Sequence, residues 1–392
     1  MSGEAVRQAV ILVGGKGTRL GAITRAVPKP MLPIAGDRPF VDYLLEMIER
    51  HGYRDIVLLA GHLGEALQAA YGGRRIGKAV VRVMREPVPL GTAGALTVAR
   101  EALDPRFLLM NGDAFFDINL RALEEASQRS GATATLALRT VADAARYGRV
   151  IEEDGKVTAF LEKDSSRPGP GVINGGIYVL KREILDLVRD LPCSLEQHVF
   201  PALVERGEIA GREFKGYFLD IGLPETLEQG HLELPSVRVR PAAFLDRSAL
   251  VDFSARDPCG PDGFRWMVGA VEAVRALNDR GHYVFVVGDS SVRAGAPGAV
   301  DDPCRLNAEI QERLAPQGAH VDRFHAKDRE PFSSVLEEAM NNWPIVRQRS
   351  VLVGASNGEV EVARRAGLAA HLFDGGDLAR LVHSLLARAA KD

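Results

Sequence analysis

A group of glycine and basic residues near the start of the chain is suited to binding phosphate. Gly14, Gly15 and Gly17 follow an apolar run, and Arg19 and Lys29 come shortly after them. Backbone N–H groups in a glycine loop approach phosphate closely because no Cβ intervenes, and the two cations can neutralise charge shared by two reacting phosphates. The pattern favours phosphate chemistry, although the glycines by themselves also fit a tight turn between a strand and a helix.

A carboxylate follows another apolar run. Residues 107–110 are apolar, and Asn111-Gly112-Asp113 comes directly after them. In α/β folds, ligand sites lie beyond the carboxyl ends of the strands, so Asp113 is a candidate site residue. A lone acid at such a place is otherwise a solvated cap or turn residue.

The elements that must position these residues alternate between strand and helix patterns. Helical spacing of apolar residues predicts a helix at residues 40–51. Short apolar runs predict strands at residues 9–13, 56–60, 79–84 and 107–110. The alternation indicates βαβ units and a doubly wound α/β sheet. Farther along, Asp154-Gly155 between two short runs predicts a hairpin.

A break in this pattern indicates two domains. Residues 232–241 show no helical period and contain two prolines, so we place a boundary there, between a first domain at 1–235 and a second at 236–392. A second α/β pattern follows the break. It predicts strands at 242–245, 283–287 and 351–353 and helices at 267–280 and 335–340.

The overall composition argues against several classes of protein. The 392 residues include 49 Lys and Arg against 52 Asp and Glu, so the net charge of −3 provides no basic field for nucleic acid. No apolar stretch reaches the roughly 18 residues of a membrane span, and the start lacks a signal-peptide pattern. Three dispersed cysteines form no disulfide framework. We expect a soluble, cytoplasmic protein that contacts neither nucleic acid nor membrane.

The longer pattern around the glycine loop resembles the sugar-1-phosphate nucleotidyltransferase family. The loop continues into Thr18-Arg19-Leu20 and then into Pro28-Lys29-Pro30-Met31-Leu32-Pro33-Ile34. The resemblance spans about Val6 to Leu232. It implies a Rossmann-like, GT-A-like α/β domain that joins a nucleoside triphosphate to a sugar 1-phosphate and releases pyrophosphate.

The resemblance also implies roles for the motif residues. Arg19, Lys29 and Asp113 would be catalytic, and Asp113 with Asp220 would hold Mg²⁺, which prefers one or two carboxylates together with phosphate oxygens and water. Residues at the nucleotide would be Gly14, Gly15, Gly17, Thr18, Glu86, Gly91 and Thr92. Residues at the sugar phosphate would be Asn111, Gly148, Glu162, Lys163, Asn174 and Gly175. The Glu162-Lys163 pair could otherwise be an exposed charge pair.

The implied mechanism is in-line attack by a sugar-phosphate oxygen on the α-phosphorus of the triphosphate, without a protein nucleophile. Residues 39–45, 90–95 and 111–118 look most like the branch that uses GTP and D-glycero-D-manno-heptose 1-phosphate. Mannose-1-phosphate guanylyltransferases and amino-sugar uridylyltransferases are also similar, so base and sugar stay open.

The second half resembles haloacid-dehalogenase-like (HAD-like) phosphatases of the heptose-bisphosphate and histidinol-phosphate type. Asp246 in Phe244-Leu245-Asp246-Arg247 matches the first aspartate of the family's D-x-D motif, but the second is replaced by Ser248. Since serine cannot serve as the general acid near neutral pH, turnover should fall by about 10²- to 10⁴-fold.

Other motifs of that resemblance are also incomplete. Gly288 stands where Thr or Ser is expected, and Ala355 replaces an acid of the metal-binding motif. Ser290 and Ser291 lie near the former, and Lys327 matches the phosphate-binding lysine. Cys259 and Cys304 are too far apart for the zinc loop of this subfamily.

We therefore predict that the second domain is inactive and serves in support, ligand sensing or homo-oligomer formation. Two alternatives stay open. Residual phosphatase activity through Asp246 alone would make the chain bifunctional. A non-catalytic regulatory protein that binds sugar nucleotides would use both domains as an interaction module.

Overall fold

A computed structural model of the chain describes residues 5–145, 147–161, 168–252, 264–288, 303–326 and 331–389. Contacts divide the chain into two compact units, Met1–Glu49 with Tyr53–Pro235, and Arg50–Gly52 with Ser236–Asp392. No helix within the described ranges is long and apolar enough to cross a membrane.

The first unit combines a large mixed sheet with flanking helices. Its strands are β1 Gln8–Leu12, β2 Pro33–Ala35, β3 Arg38–Pro39, β4 Asp55–Ala60, β5 Arg75–Ile76, β6 Ala79–Arg85, β7 Arg106–Asn111, β8 Ala114–Phe116, β9 Ala134–Val141, β10 Arg149–Glu153, β11 Lys156–Leu161, β12 Gly171–Lys181, β13 Ile209–Glu213 and β14 Phe218–Asp220. Its α-helices are α1 Phe40–Arg50, α2 Gly64–Tyr71, α3 Gly91–Val98, α4 Leu120–Ser130, α5 Phe200–Arg206 and α6 Pro224–Val237. Short 3₁₀ helices cover Thr18–Arg25, Lys29–Met31, Arg100–Ala102 and Arg182–Leu187, and a π-helical turn covers Leu195–Val199.

The centre of this sheet is parallel, which confirms the predicted βαβ pattern. Within the described residues the strand order is β10-β11-β13-β9-β12-β7-β1-β4-β6-β5, and β7, β1, β4 and β6 run parallel to one another. Val10, Val57, Leu59 and Leu109 are fully buried on these strands. Because both faces of a parallel sheet are covered, such strands are apolar throughout, and this is the pattern that the sequence analysis recognised. The carboxyl ends of β1, β4 and β7 therefore meet at one edge.

Two antiparallel pairs belong to the same unit. β8 pairs with β14, and β10 pairs with β11. The predicted hairpin at Asp154-Gly155 is confirmed, since both residues have positive φ, 50° and 81°, as a two-residue turn between right-twisted strands requires.

The expectation that residues 232–241 lack helical structure is wrong for their first part. Helix α6 continues through Pro235 to Val237. Leu227, Gly230 and Leu234 are buried at helical spacing, and Gly230 packs against Leu219. Burial of this stripe outweighs the local cost of a proline in a helix, about 3 kcal/mol.

The second unit is an α/β fold with a five-stranded parallel sheet and a separate antiparallel pair of short strands. Its strands are β15 Ala242–Asp246, β16 Val251–Asp252, β17 Arg265–Trp266, β18 Tyr283–Gly288, β19 Arg323–Ala326, β20 Val351–Gly354 and β21 Ala369–Leu372. Its α-helices are α7 Ala270–Asp279, α8 Pro303–Leu314, α9 Phe332–Asn342, α10 Asn357–Arg365 and α11 Leu378–Ala389, with 3₁₀ turns at Arg247–Ala249, Ala315–Gln317 and Arg347–Arg349. The order β19-β18-β15-β20-β21 is parallel throughout, and β16 pairs with β17 in the antiparallel pair.

Helices cover both faces of this second sheet. Ala243 and Leu245 of β15 face a core that contains residues of α7, α8 and α11. Phe244 of the same strand faces the opposite core, with residues of α9 and α10. Alternation along a strand thus supplies both layers, and the unit has the α/β architecture that its strand and helix pattern predicts.

Candidate active site

The carboxyl edge of the first sheet encloses a cavity of about 560 Å³. Residues that follow β1, β4 and β7 line it, together with the start of α3. The predicted site residues among its lining are Gly14, Gly15, Lys29, Glu86, Gly91, Thr92, Asn111 and Asp113. Lys16, Gly61 and His62 also line it, and none of these three was predicted from the sequence.

The glycine loop is tightly packed on one side and open on the other. A Cβ added to Gly14 would lie 3.0 Å from the backbone nitrogen of Gly61 and would also meet the Glu86 carboxylate, whereas Gly15 has open space beside it. Gly17 has φ 61° and begins the 3₁₀ helix that carries Thr18 and Arg19, both exposed. The loop lines the cavity through Gly14, Gly15 and Lys16, which is where a phosphate-binding loop is expected.

Lys29 and Asp113 form an ion pair inside this cavity. The Lys29 Nζ lies 2.7 Å from Asp113 Oδ2, and the lysine side chain is 6% exposed against 42% for the aspartate. The ammonium group is held at the end of a buried stem, so its position is well defined. The carboxylate stays open to a ligand on its other side. A cation fixed in this way can meet the negative charge of phosphate without further reorganisation.

Asp113 and Asp220 are brought together by the β8–β14 ribbon. Asp220 pairs with Ala114, and the Ile221 N–H donates to the Asp113 carbonyl at 3.0 Å. Burial, and next the charge of Asp113, raises the pKa of Asp220. Lys29, the Gly222 N–H and Arg19 act in the opposite direction on the same pKa. Arg19 is therefore near the acid pair: a Cβ on Gly222 would lie 3.3 Å from its guanidinium.

These two carboxylates fit the Mg²⁺ predicted for this position. Within the described ranges, no cluster of three or more His, Cys, Asp or Glu residues could hold a metal ion. Mg²⁺ does not require one, because it retains waters and takes substrate phosphate oxygens beside one or two carboxylates. Burial and, next, the charge of Asp113 raise the pKa of Asp220, and a divalent cation would remove the repulsion between the two carboxylates.

Glu86 and Gly91 line the first cavity just before and at the start of α3. The Leu90 N–H donates to Glu86 Oε2 at 3.0 Å, and burial raises the pKa of this carboxyl group. Gly91 has φ 81°, and a Cβ there would overlap the backbone of Cys193. The cysteine carbonyl accepts N–H bonds from Ala93 and Gly94, so it caps the start of α3.

A second cavity of about 540 Å³ adjoins the first. Asn111 and Asp113 line both. The other predicted site residues in its lining are Gly148, Asn174, Gly175 and Asp220. Gly175 is packed against Phe116, where a Cβ would lie 2.5 Å from the ring, so only glycine fits there.

Two amides and a phenol form a network between the cavities. Asn174 Nδ2 donates to the Tyr178 hydroxyl oxygen at 2.8 Å, and Asn174 Oδ1 accepts the Gly176 N–H at 3.0 Å. Burial raises the pKa of Tyr178, so the phenol stays neutral. Asn111 Oδ1 is buried and has no hydrogen-bond partner among the described residues. An acceptor of this kind is well placed to receive a ligand hydroxyl.

The predicted residues at the sugar phosphate and the observed lining of the second cavity differ in part. Glu162 and Lys163 lie outside the described residues. Tyr147, Phe160 and Phe218 line the second cavity, as does Glu196. Phe218 lies two residues before Asp220 in a motif that was recognised, which is a usable signal. Glu196 lies in a segment without a site pattern, so nothing in the sequence pointed to it.

At the carboxyl edge of the second sheet, the residues of the phosphatase-like motifs contact neighbouring groups of the same unit. Ser248 donates to Asp246 Oδ1 through both its N–H, at 2.8 Å, and its hydroxyl, at 2.6 Å. Gly288 packs against the guanidinium of Arg247. At the end of β20, the Ala355 N–H donates to a carboxylate of α10 at 2.8 Å. The remaining predicted positions lie outside the described residues: Cys259, Ser290, Ser291, Lys327 and the side chain of Cys304.

The comparison with protein families decides the assignment of the first unit. The nucleotidyl transferase family model matches residues 8–236, which is more than half of the chain. The chain belongs to the nucleotidyl transferase family. The matched region contains the glycine loop, the Lys29–Asp113 pair and Asp220.

Individual members of this nucleotidyl transferase family match the same region. Mannose-1-phosphate guanylyltransferase of Mycobacterium tuberculosis is 37% identical over 232 residues, which are 58% of this chain and 64% of that protein. D-glycero-alpha-D-manno-heptose 1-phosphate guanylyltransferase of Aneurinibacillus thermoaerophilus is 33% identical over 229 residues, 58% of this chain and 98% of that protein. The chain therefore spans less than two thirds of the first relative and nearly all of the second.

Solved structures agree with the family assignment. HddC from Yersinia pseudotuberculosis is 30% identical, with a TM-score of 0.52 over 58% of this chain and all of that chain. A second structure of HddC, complexed with GMP-PN, gives the same TM-score at 29% identity.

Proposed function

We propose that this protein is a sugar-1-phosphate guanylyltransferase that converts GTP and D-glycero-D-manno-heptose 1-phosphate into the GDP-sugar and pyrophosphate. The observation that carries the proposal is the Lys29–Asp113 pair at 2.7 Å, in which Lys29 lines the first cavity and Asp113 lines both. Two adjoining cavities that share a carboxylate, with a cation paired to it, suit the joining of two phosphate-bearing substrates.

The proposed reaction needs no protein nucleophile. A sugar-phosphate oxygen forms a bond to the α-phosphorus, the bond between that phosphorus and the bridging oxygen to the β-phosphorus breaks, and pyrophosphate leaves with the electron pair. Lys29, with Arg19 near the acid pair, stabilises the charge on the transferring and leaving groups. Asp113 and Asp220 would hold Mg²⁺, which would supply further charge neutralisation.

Glu86 supports guanine as the base. Its carboxylate lines the first cavity, and its Oε2 is already held by the Leu90 N–H. Guanine presents two adjacent donors, N1–H and the 2-amino group, and a carboxylate is a pure acceptor that suits such a pair. The HddC complex with GMP-PN is consistent with this choice.

Two sugars are supported by different comparisons. The heptose 1-phosphate enzyme is covered over 98% of its own length, which favours the heptose. The mannose 1-phosphate enzyme has the higher identity, 37%, so mannose 1-phosphate is the second candidate.

For the second unit we propose a HAD-like fold without phosphatase activity. The five-stranded parallel sheet suits that fold, and Asp246 stands at the end of its central strand. Ser248 uses its hydroxyl to bond Asp246, so no general acid is present at that position. Cytoplasmic location, and homo-oligomer formation through this unit, remain predictions from the sequence.

The decisive experiment is an assay of pyrophosphate release by the full chain, with each nucleoside triphosphate against a panel of sugar 1-phosphates. We expect Mg²⁺-dependent release, strongest with GTP and the heptose 1-phosphate, and none in EDTA. Asp113→Asn should abolish it. The absence of release with every pair would refute the enzyme proposal and favour a regulatory protein.

The inactivity of the second unit is tested separately. The full chain should hydrolyse p-nitrophenyl phosphate no faster than its Asp246→Asn variant. A rate that depends on Asp246 would instead show a bifunctional enzyme.

A further inference from the structure

The hydroxyl of Thr92 both donates and accepts a hydrogen bond within the protein. Its Oγ1 donates to Glu196 Oε2 at 3.0 Å and accepts the Leu195 N–H at 2.8 Å. A hydroxyl has a single hydrogen to donate, so Thr92 has none left for a ligand. Thr92 nevertheless lines the first cavity, at the start of α3. The family resemblance implies a place for Thr92 at the nucleotide, and the geometry gives its hydroxyl a different task.

That task is to hold Glu196. Both hydrogen bonds to its carboxylate arrive at the same oxygen, Oε2: one from Thr92, and one from the Ser194 hydroxyl at 3.0 Å. Within the described ranges, the other oxygen, Oε1, has no hydrogen-bond partner in the protein. Ser194 is itself fixed, because its hydroxyl accepts the Gln197 N–H at 3.2 Å at the start of the π-helical turn.

Glu196 belongs to the second cavity. It lines that cavity together with Asn174 and Gly175, and its charge contributes to the raised pKa of Tyr178. A half-buried carboxylate with one oxygen anchored and the other open is a rigid acceptor for a hydroxyl group. The amide network beside it, Asn111 and Asn174, likewise offers groups that suit a polyhydroxylated ligand.

We propose that Glu196 accepts a hydrogen bond from a sugar hydroxyl of the second substrate, and that Thr92 is the positioning residue that aims it. Helix α3 lines the first cavity, and through Thr92 it positions the carboxylate that recognises the sugar in the second cavity. This inference rests on the proposed function for the identity of the second ligand as a sugar 1-phosphate.

The test measures binding directly, by isothermal titration of mannose 1-phosphate, D-glycero-D-manno-heptose 1-phosphate and a non-hydrolysable GTP analogue to the full chain. Glu196→Gln should weaken binding of the preferred sugar phosphate by about 10- to 150-fold, the value of a hydrogen bond to a charged group. Thr92→Val should produce a similar loss. Thr92→Ser, which keeps the hydroxyl, should bind the sugar phosphate as tightly as wild type. Affinity for the GTP analogue should change less than about threefold in each variant, a small free-energy difference.

Two controls separate this role from simple damage. Glu205→Gln, an exposed glutamate on α5, should leave both affinities unchanged. In a set of monodeoxy sugar 1-phosphates, the analogue that lacks the contacted hydroxyl should bind wild type weakly and lose nothing further in Glu196→Gln, because the partner is already missing.

Three outcomes would overturn the inference. These are unchanged sugar-phosphate affinity in Glu196→Gln, a loss in Thr92→Val confined to the GTP analogue, or no binding of either sugar phosphate to wild type. Sugar-phosphate binding that depends on Glu196, without any pyrophosphate release, would refute the proposed reaction and leave this inference standing.

Discussion

Replacing Glu86 with glutamine tests how the base is selected. The substitution keeps the shape of the side chain, and the glutamine carbonyl can still accept the Leu90 N–H that Glu86 Oε2 accepts at 3.0 Å. It converts the other oxygen, which lies beside Gly14 and Gly61, into either an acceptor without charge or an amide donor. A donor there would face the N1–H and 2-amino donors of guanine.

The magnitude follows from the loss of one charge-assisted hydrogen bond. Hydrogen bonds to charged groups contribute about 1.5–3 kcal/mol, which corresponds to about 10- to 150-fold in kcat/KM for GTP. Inosine triphosphate lacks the 2-amino group, so wild type should already use it less well than GTP. In Glu86→Gln the preference for GTP over inosine triphosphate should shrink, since the acceptor that distinguishes them is weakened.

The assay is pyrophosphate release at saturating sugar 1-phosphate, with GTP, inosine triphosphate and UTP varied in turn. Glu101→Gln, an exposed glutamate in the 3₁₀ helix Arg100–Ala102, is the matched control and should behave as wild type. An equal fall in kcat/KM for GTP and UTP would refute the reasoning, because it would point to a disturbed loop. An unchanged ratio of GTP to inosine triphosphate would do the same.

Further predictions concern pH and stability. Because burial raises the pKa of Glu86, it protonates at a higher pH than a free glutamate, so kcat/KM for GTP should fall as the pH drops through this raised pKa and the Glu86→Gln variant should lack that limb. The same shift means that charging Glu86 opposes folding, so Glu86→Gln should raise Tm more above the raised pKa than below the ordinary glutamate pKa. Gly91→Ala should lower the free energy of unfolding by about 1–3 kcal/mol in denaturant titrations, since φ 81° and the Cys193 backbone both oppose a Cβ, and full stability would contradict this packing. Glu124→Gln leaves the buried Arg121 without its charged partner and should cost about 3–5 kcal/mol, whereas Glu361→Gln in an exposed pair with Arg365 should change stability by less than about 1 kcal/mol; similar losses in both would contradict the role of burial.

Local patterns in the sequence predicted strands and turns well where the residue types themselves determine the backbone conformation. The apolar runs that became β1, β4 and β7 are buried on both faces, and such strands are recognisable without knowledge of their partners. Asp154-Gly155 predicted its hairpin because the turn requires positive φ at both positions. Proline in α6 is the exception, since the buried stripe through Leu234 outweighs the local preference against a helix.

The candidate site shows the same difference between what local sequence patterns indicate and what packing decides. The sequence by itself determined which residues could meet phosphate and metal, because the glycine loop, Lys29, Asp113 and Asp220 belong to a recognisable pattern. Only the tertiary structure decided which residues of the site contact one another: Lys29 meets Asp113 across 84 positions, and Thr92 meets Glu196 across 104. The physical reason is that a hydroxyl or a carboxylate takes its role from the partner that occupies it, and that partner is chosen by packing between distant segments.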